Sequence, residues 1–92
     1  MGLPTIEQVQ ESLIANKRAT ISEGLLKHGF GSLYTRGLTE ESIKLLIDEC
    51  ATQGYEVWER KEKENLAGLN EFEVVVDSSR EDYLRNRFKR VK

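Results

Sequence analysis

The chain offers few side chains that can do covalent chemistry. His28 is the one imidazole and Cys50 the one thiol in 92 residues. A histidine works as a general acid or base only beside a partner that positions it, and no Ser or Cys is tied to His28 by a known motif. It reads as an ordinary turn or helix-end residue. Cys50 continues an apolar series with Ile43, Leu46 and Ile47, so a buried thiol is expected there rather than a nucleophile. Glu40 and Glu41, Glu62 and Glu64, and Glu71 and Glu73 are carboxylate pairs of the kind that hold a metal or divide acid and base roles. Each has a plainer explanation: a helix start, a solvated loop and the polar face of a strand. The turn at Gly29–Gly31 can offer backbone amides to a phosphate, but it lacks Walker-A spacing. No catalytic residue, cofactor or metal is therefore expected.

Binding chemistry is better represented. Arg80, Arg85, Arg87, Lys89, Arg90 and Lys92 lie within thirteen residues, together with Tyr83 and Phe88. Arginine can clamp a carboxylate or phosphate bidentately, and Tyr83 offers a stacking surface. Residues 38–73 carry ten acidic and four basic groups, whereas 80–92 carry six basic and two acidic. The basic tail can meet an acidic partner, or it can lie across its own acidic face. The first reading makes Arg80, Tyr83, Arg85, Arg87, Phe88, Lys89, Arg90 and Lys92 the partner-binding set. His28, Phe30, Tyr34 and Arg36, around the Gly29–Arg36 segment, form a secondary surface.

The elements that must position these groups follow from periodicity. Thr5 and Gln8 make a capping box, and Ile6, Val9, Leu13 and Ile14 recur at helical spacing, predicting a helix from Ile6 to about Ala15 or Lys17. Beyond it two readings stay open. Ser22 caps a separate short helix, or Ile21, Leu25 and His28 extend the first helix despite Gly24. Either ends at Gly29. Residues 32–36 read as a short strand. Thr39 caps the clearest helix, 40–53, with Gly54 as its terminator. Residues 55–60 and 71–76 alternate as strands of an antiparallel hairpin, with Phe72, Val74 and Val76 facing the core and the charged 61–70 segment between them. Ser79 to Asp82 can cap a last helix carrying Leu84, Phe88 and Val91 along one side.

The fold class expected is α+β: one small domain over 1–92 with N-terminal helix or helices, a short strand, helix 40–53, hairpin 55–60/71–76 and a basic C-terminal helix. The three strands form one sheet with the helices on its apolar face. A winged helix is the alternative, with 32–36 reduced to a turn, but its groove-entering helix would present Glu40, Glu41, Lys44, Asp48 and Glu49, a mostly acidic set that phosphates repel. Leu, Ile, Val and Phe supply 25 of 92 residues, enough for a core. One cysteine excludes a disulfide framework, and no apolar run is long enough for a membrane span. A cytoplasmic location is expected.

Residues His28-Gly29-Phe30-Gly31-Ser32-Leu33-Tyr34-Thr35 resemble the RNP1 segment of RNA-recognition motifs, which implies base stacking. Ser32 and Thr35 stand where further aromatics would be, and His28 stands where Lys or Arg is usual. The function expected is that of a non-enzymatic interaction protein: an adaptor, inhibitor or assembly component, in the style of bacteriophage accessory proteins. A protein partner is expected first. Nucleic-acid binding through the basic C-terminal helix or a winged-helix fold is the alternative, and a homo-oligomer is compatible with both.

Overall fold

A computed structural model describes residues 2–61, 71–77 and 81–92. In order, they form α1 (Ile6–His28), β1 (Phe30–Tyr34), α2 (Glu40–Thr52), β2 (Glu56–Arg60), β3 (Glu71–Val75), α3 (Glu81–Arg87) and β4 (Phe88–Arg90). This is the α+β domain expected, with a fourth strand the sequence reading lacked. The sheet is antiparallel throughout, in the order β1-β3-β2-β4.

Helix α1 starts as its capping box dictates. The Gln8 N–H donates to Thr5 Oγ1 at 3.1 Å, and the Thr5 N–H donates to Gln8 Oε1 at 2.9 Å. It then runs unbroken for 23 residues to Gly29, whose φ of 80° closes it in the left-handed conformation. The longer of the two helix readings holds, and Gly24 is the reason that it packs as it does. A Cβ on Gly24 would lie 2.6 Å from the Phe30 carbonyl oxygen, and one on Gly31 would lie 2.8 Å from the Ile21 carbonyl oxygen. Both glycines let the helix backbone settle directly on β1.

Strand β1 sits two residues earlier than 32–36. The Leu38 N–H donates to the Thr35 carbonyl at 3.0 Å, and Gly37 has φ 81°, so Arg36 and Gly37 belong to a turn. Helix α2 is capped by Thr39, and Gln10 of α1 ties the two helices by accepting from the Thr39 N–H at 3.0 Å and Ser42 Oγ at 2.8 Å.

The expected hairpin forms, with Val57 opposite Val74 and Trp58 opposite Glu73. Its core differs in one position. Phe72 and Val74 are buried, but Val76 is 47% exposed, because β3 ends at Val75 and neither helix buries the residue beyond it. Val75 is buried instead, on the opposite face of the sheet. That face carries a second core of Trp58, Val75, Leu84 and Phe88, with Phe30 packed against it. The larger core of Ile14, Ile21, Leu33, Leu46, Cys50, Val57, Phe72 and Val74 lies between the sheet and α1 and α2. Helices therefore cover both faces rather than one.

The C-terminal helix is also shorter than expected. It stops at Arg87, and Phe88–Arg90 pairs with β2, placing Phe88 opposite Arg60 and Arg90 opposite Trp58. Phe88 and Val91 are three residues apart, so in an extended chain they point to opposite sides of the sheet. Phe88 enters the second core while Val91 packs on the first. A helix would have turned both to one face and could not have served the two cores at once.

Candidate functional site

The C-terminal cations are mostly engaged with the protein's own acidic groups. Arg85 pairs with Glu81 one helical turn away. Lys89 Nζ lies 3.8 Å from Glu59, Arg90 Nη1 4.0 Å from Glu56, and Lys92 Nζ 3.9 Å from Asp48. Strand pairing explains part of the pattern: β4 runs beside β2 with Lys89 directly opposite Glu59, and Arg90 lies opposite Trp58, two residues from Glu56. Phe88, expected at the partner surface, is a core residue at 4% exposure, because its side chain projects onto the α3 face. Tyr83 is half-exposed at 51%. Arg80 lies outside the described residues.

Arg87 differs from its neighbours. It is exposed and has no carboxylate partner among the described residues. With Arg60, Lys61 and Asn86 it lines a recess of about 350 Å³ where the end of β2 meets the junction of α3 and β4. Arg60 Nη1 is 2.8 Å from Glu71 Oε2. Lys61 is held twice: its N–H donates to the Arg87 carbonyl at 2.8 Å, and its Nζ to the Arg85 carbonyl at 2.9 Å.

The secondary surface does not converge. The His28 ring stacks obliquely on Phe30, with centroids 5.7 Å apart, and Phe30 turns toward the second core. Tyr34 is at the far end of β1, opposite Glu71. The Glu71 charge raises the Tyr34 phenol above its ordinary pKa, with burial and a hydrogen bond to the same carboxylate adding to the effect. Arg36 is exposed in the turn. Cys50 is 7% exposed, and burial, helped by the Glu49 charge, pushes its pKa up. Among the described residues no cluster of His, Cys, Asp or Glu is arranged to hold a metal, and no helix is long and apolar enough to cross a membrane.

An apolar groove escaped the sequence reading. Two recesses of about 380 and 390 Å³ share Ser22 and Leu25 of α1 and Tyr55 before β2. Leu45 borders the first; Leu26 and Val76 border the second. These last three side chains are 45%, 89% and 47% exposed. At the rim Arg18 clamps Glu49 with both carboxylate oxygens engaged, Nε–Oε1 at 2.8 Å and Nη2–Oε2 at 2.6 Å. That hydrogen bonding holds the Glu49 carboxyl below its ordinary range, against the opposing effect of burial. A signal was present in the Leu25-Leu26 doublet: adjacent residues on a helix are about 100° apart, so a narrow buried stripe cannot take both. No family model, curated protein or solved structure matches this chain.

Proposed function

We propose that the protein is a non-enzymatic interaction protein that binds a protein partner along the groove between α1 and α2. The observation that carries this reading is the exposure of Leu26, Leu45 and Val76 around one continuous depression. Large apolar side chains gathered beside a recess are worth about 25 cal/mol per Å² when covered, and contiguous patches of this kind mark binding surfaces. The occupant is an apolar segment, because the groove's own carboxylates, Asp48 and Glu49, are already paired with Lys92 and Arg18, and the exposed side chains at its edge are Leu26, Leu45 and Val76. The basic tail is the weaker candidate for the main contact, since Arg85, Lys89, Arg90 and Lys92 already face carboxylates.

Nucleic-acid binding is the second reading, favoured by Arg87 and the recess it shares with Arg60 and Lys61. Affinity capture with three baits separates the two. A stoichiometric protein retained by the wild type and by Arg85→Glu/Arg87→Glu, but lost from Leu26→Glu/Leu45→Glu, supports the groove. Loss from the arginine variant alone, together with steep weakening by salt, supports nucleic acid instead.

A further inference from the structure

We infer that the recess lined by Arg60, Lys61, Asn86 and Arg87 is a binding site for the doubly charged phosphate of a monoester. It lies at the end of β2 remote from Tyr55 and the apolar groove, so it goes beyond the protein-contact reading and stands apart from it.

Charge and donor geometry both support it. Arg60, Lys61 and Arg87 bring three cations to the recess, and Glu71 on Arg60 offsets one. Among the described lining residues two positive charges remain, on Lys61 and Arg87, matching a monoester dianion better than the single charge of a diester backbone. Two backbone carbonyls that would repel an anion accept from a cationic residue instead. The carbonyls of Arg85 and Arg87, at the end of α3, accept from Lys61 Nζ and Lys61 N–H. An ammonium has three donors, so Lys61 keeps two for a ligand, and its side chain is fixed in advance by the Arg85 bond. Arg87 supplies a guanidinium fork with no competing carboxylate among the described residues, and Asn86 adds a neutral amide donor. A volume of about 350 Å³ admits a phosphate with part of the group that bears it.

The test is an amide-resolved NMR titration of the full chain with inorganic phosphate at pH 7.5, with ionic strength held constant by chloride. Saturable shifts should concentrate at Lys61, Asn86 and Arg87. Dimethyl phosphate, a monoanion, should bind at least about tenfold more weakly. Arg87→Glu should weaken phosphate about ten- to a hundredfold, the loss of charge-assisted bonds, while melting with the wild type because Arg87 is exposed and its side chain holds no carboxylate among the described residues. O-phosphoserine and thymidine 5′-monophosphate then identify the source: whichever exceeds free phosphate names the bearer, and both support the site. Linear shifts without saturation, an unchanged response in a folded Arg87→Glu variant, or equal binding of dimethyl phosphate would each overturn it. None of these outcomes depends on whether a protein occupies the groove.

Discussion

The two faces of the sheet bury apolar side chains by different means. Toward α1 and α2, eight buried residues from two helices and three strands make a continuous core, and the helix backbone itself touches the strand at Gly24 and Gly31. Toward α3, four residues suffice, and they are Trp58, Val75, Leu84 and Phe88. That smaller core shares its face with charge: Glu73 is buried there, and Glu71, Arg60 and Tyr34 interact at one end. Among the described residues the seven-residue α3 covers only part of this face, and the recess opens beside it. The larger face determines that the chain folds. The smaller one leaves room for a ligand.

The most severe way to break this picture is Val74→Asp. Val74 is 1% exposed on a central strand, so the substitution removes an aliphatic group and buries a charge, costing upwards of about 3 kcal/mol. Chemical denaturation should show the variant largely unfolded; wild-type stability would contradict the assignment of the main core. Leu84→Ala asks the same question of the other face. Leu84 is 0% exposed, and a loss of roughly 2–4 kcal/mol is expected. A change below about 0.5 kcal/mol would mean that α3 does not pack there.

Smaller effects sharpen the comparison. Gly31→Ala forces a Cβ against the Ile21 backbone and should cost about 1–3 kcal/mol, read as a lowered Tm. A neutral result would show that α1 and β1 are further apart than described. Arg18→Ala, at the groove rim, should cost less than about 1 kcal/mol because the pair is largely solvated. Since Glu49 has a lowered folded-state pKa, this contribution is present above the unfolded carboxylate range. It disappears as pH falls through the folded value. Stability curves of wild type and variant should therefore converge in acid; a constant gap would rule out the ion pair as the cause.

What could be read from the residues divides along the same faces. Helix α2 and the pairing of β2 with β3 were legible because one apolar stripe at helical spacing and one alternating strand each point to a single core. The second face was not. Val74 and Val75 are both buried, so the alternation of β3 conceals a core on its other side. Leu84, Phe88 and Val91 fit a helix stripe as well as a strand, and only the free edge of β2 decides between them. Counting cations at 80–92 exposed the basic tail but not its partners, because Glu56, Glu59 and Asp48 reach it only through tertiary pairing. Arg60, assigned to a strand end, and Lys61, assigned to the charged segment after it, gave no hint that Asn86 and Arg87 would join them.

The central functional claim is that a protein partner occupies the α1–α2 groove. Site-specific photocrosslinking tests it most directly, with a benzophenone side chain placed in turn at positions 26 and 83, both exposed and on different parts of the surface. In cells that express the chain, position 26 should give one discrete adduct of fixed stoichiometry, suppressed by Leu45→Glu, and position 83 none of that mass. A discrete adduct from position 83 with none from position 26 would contradict it.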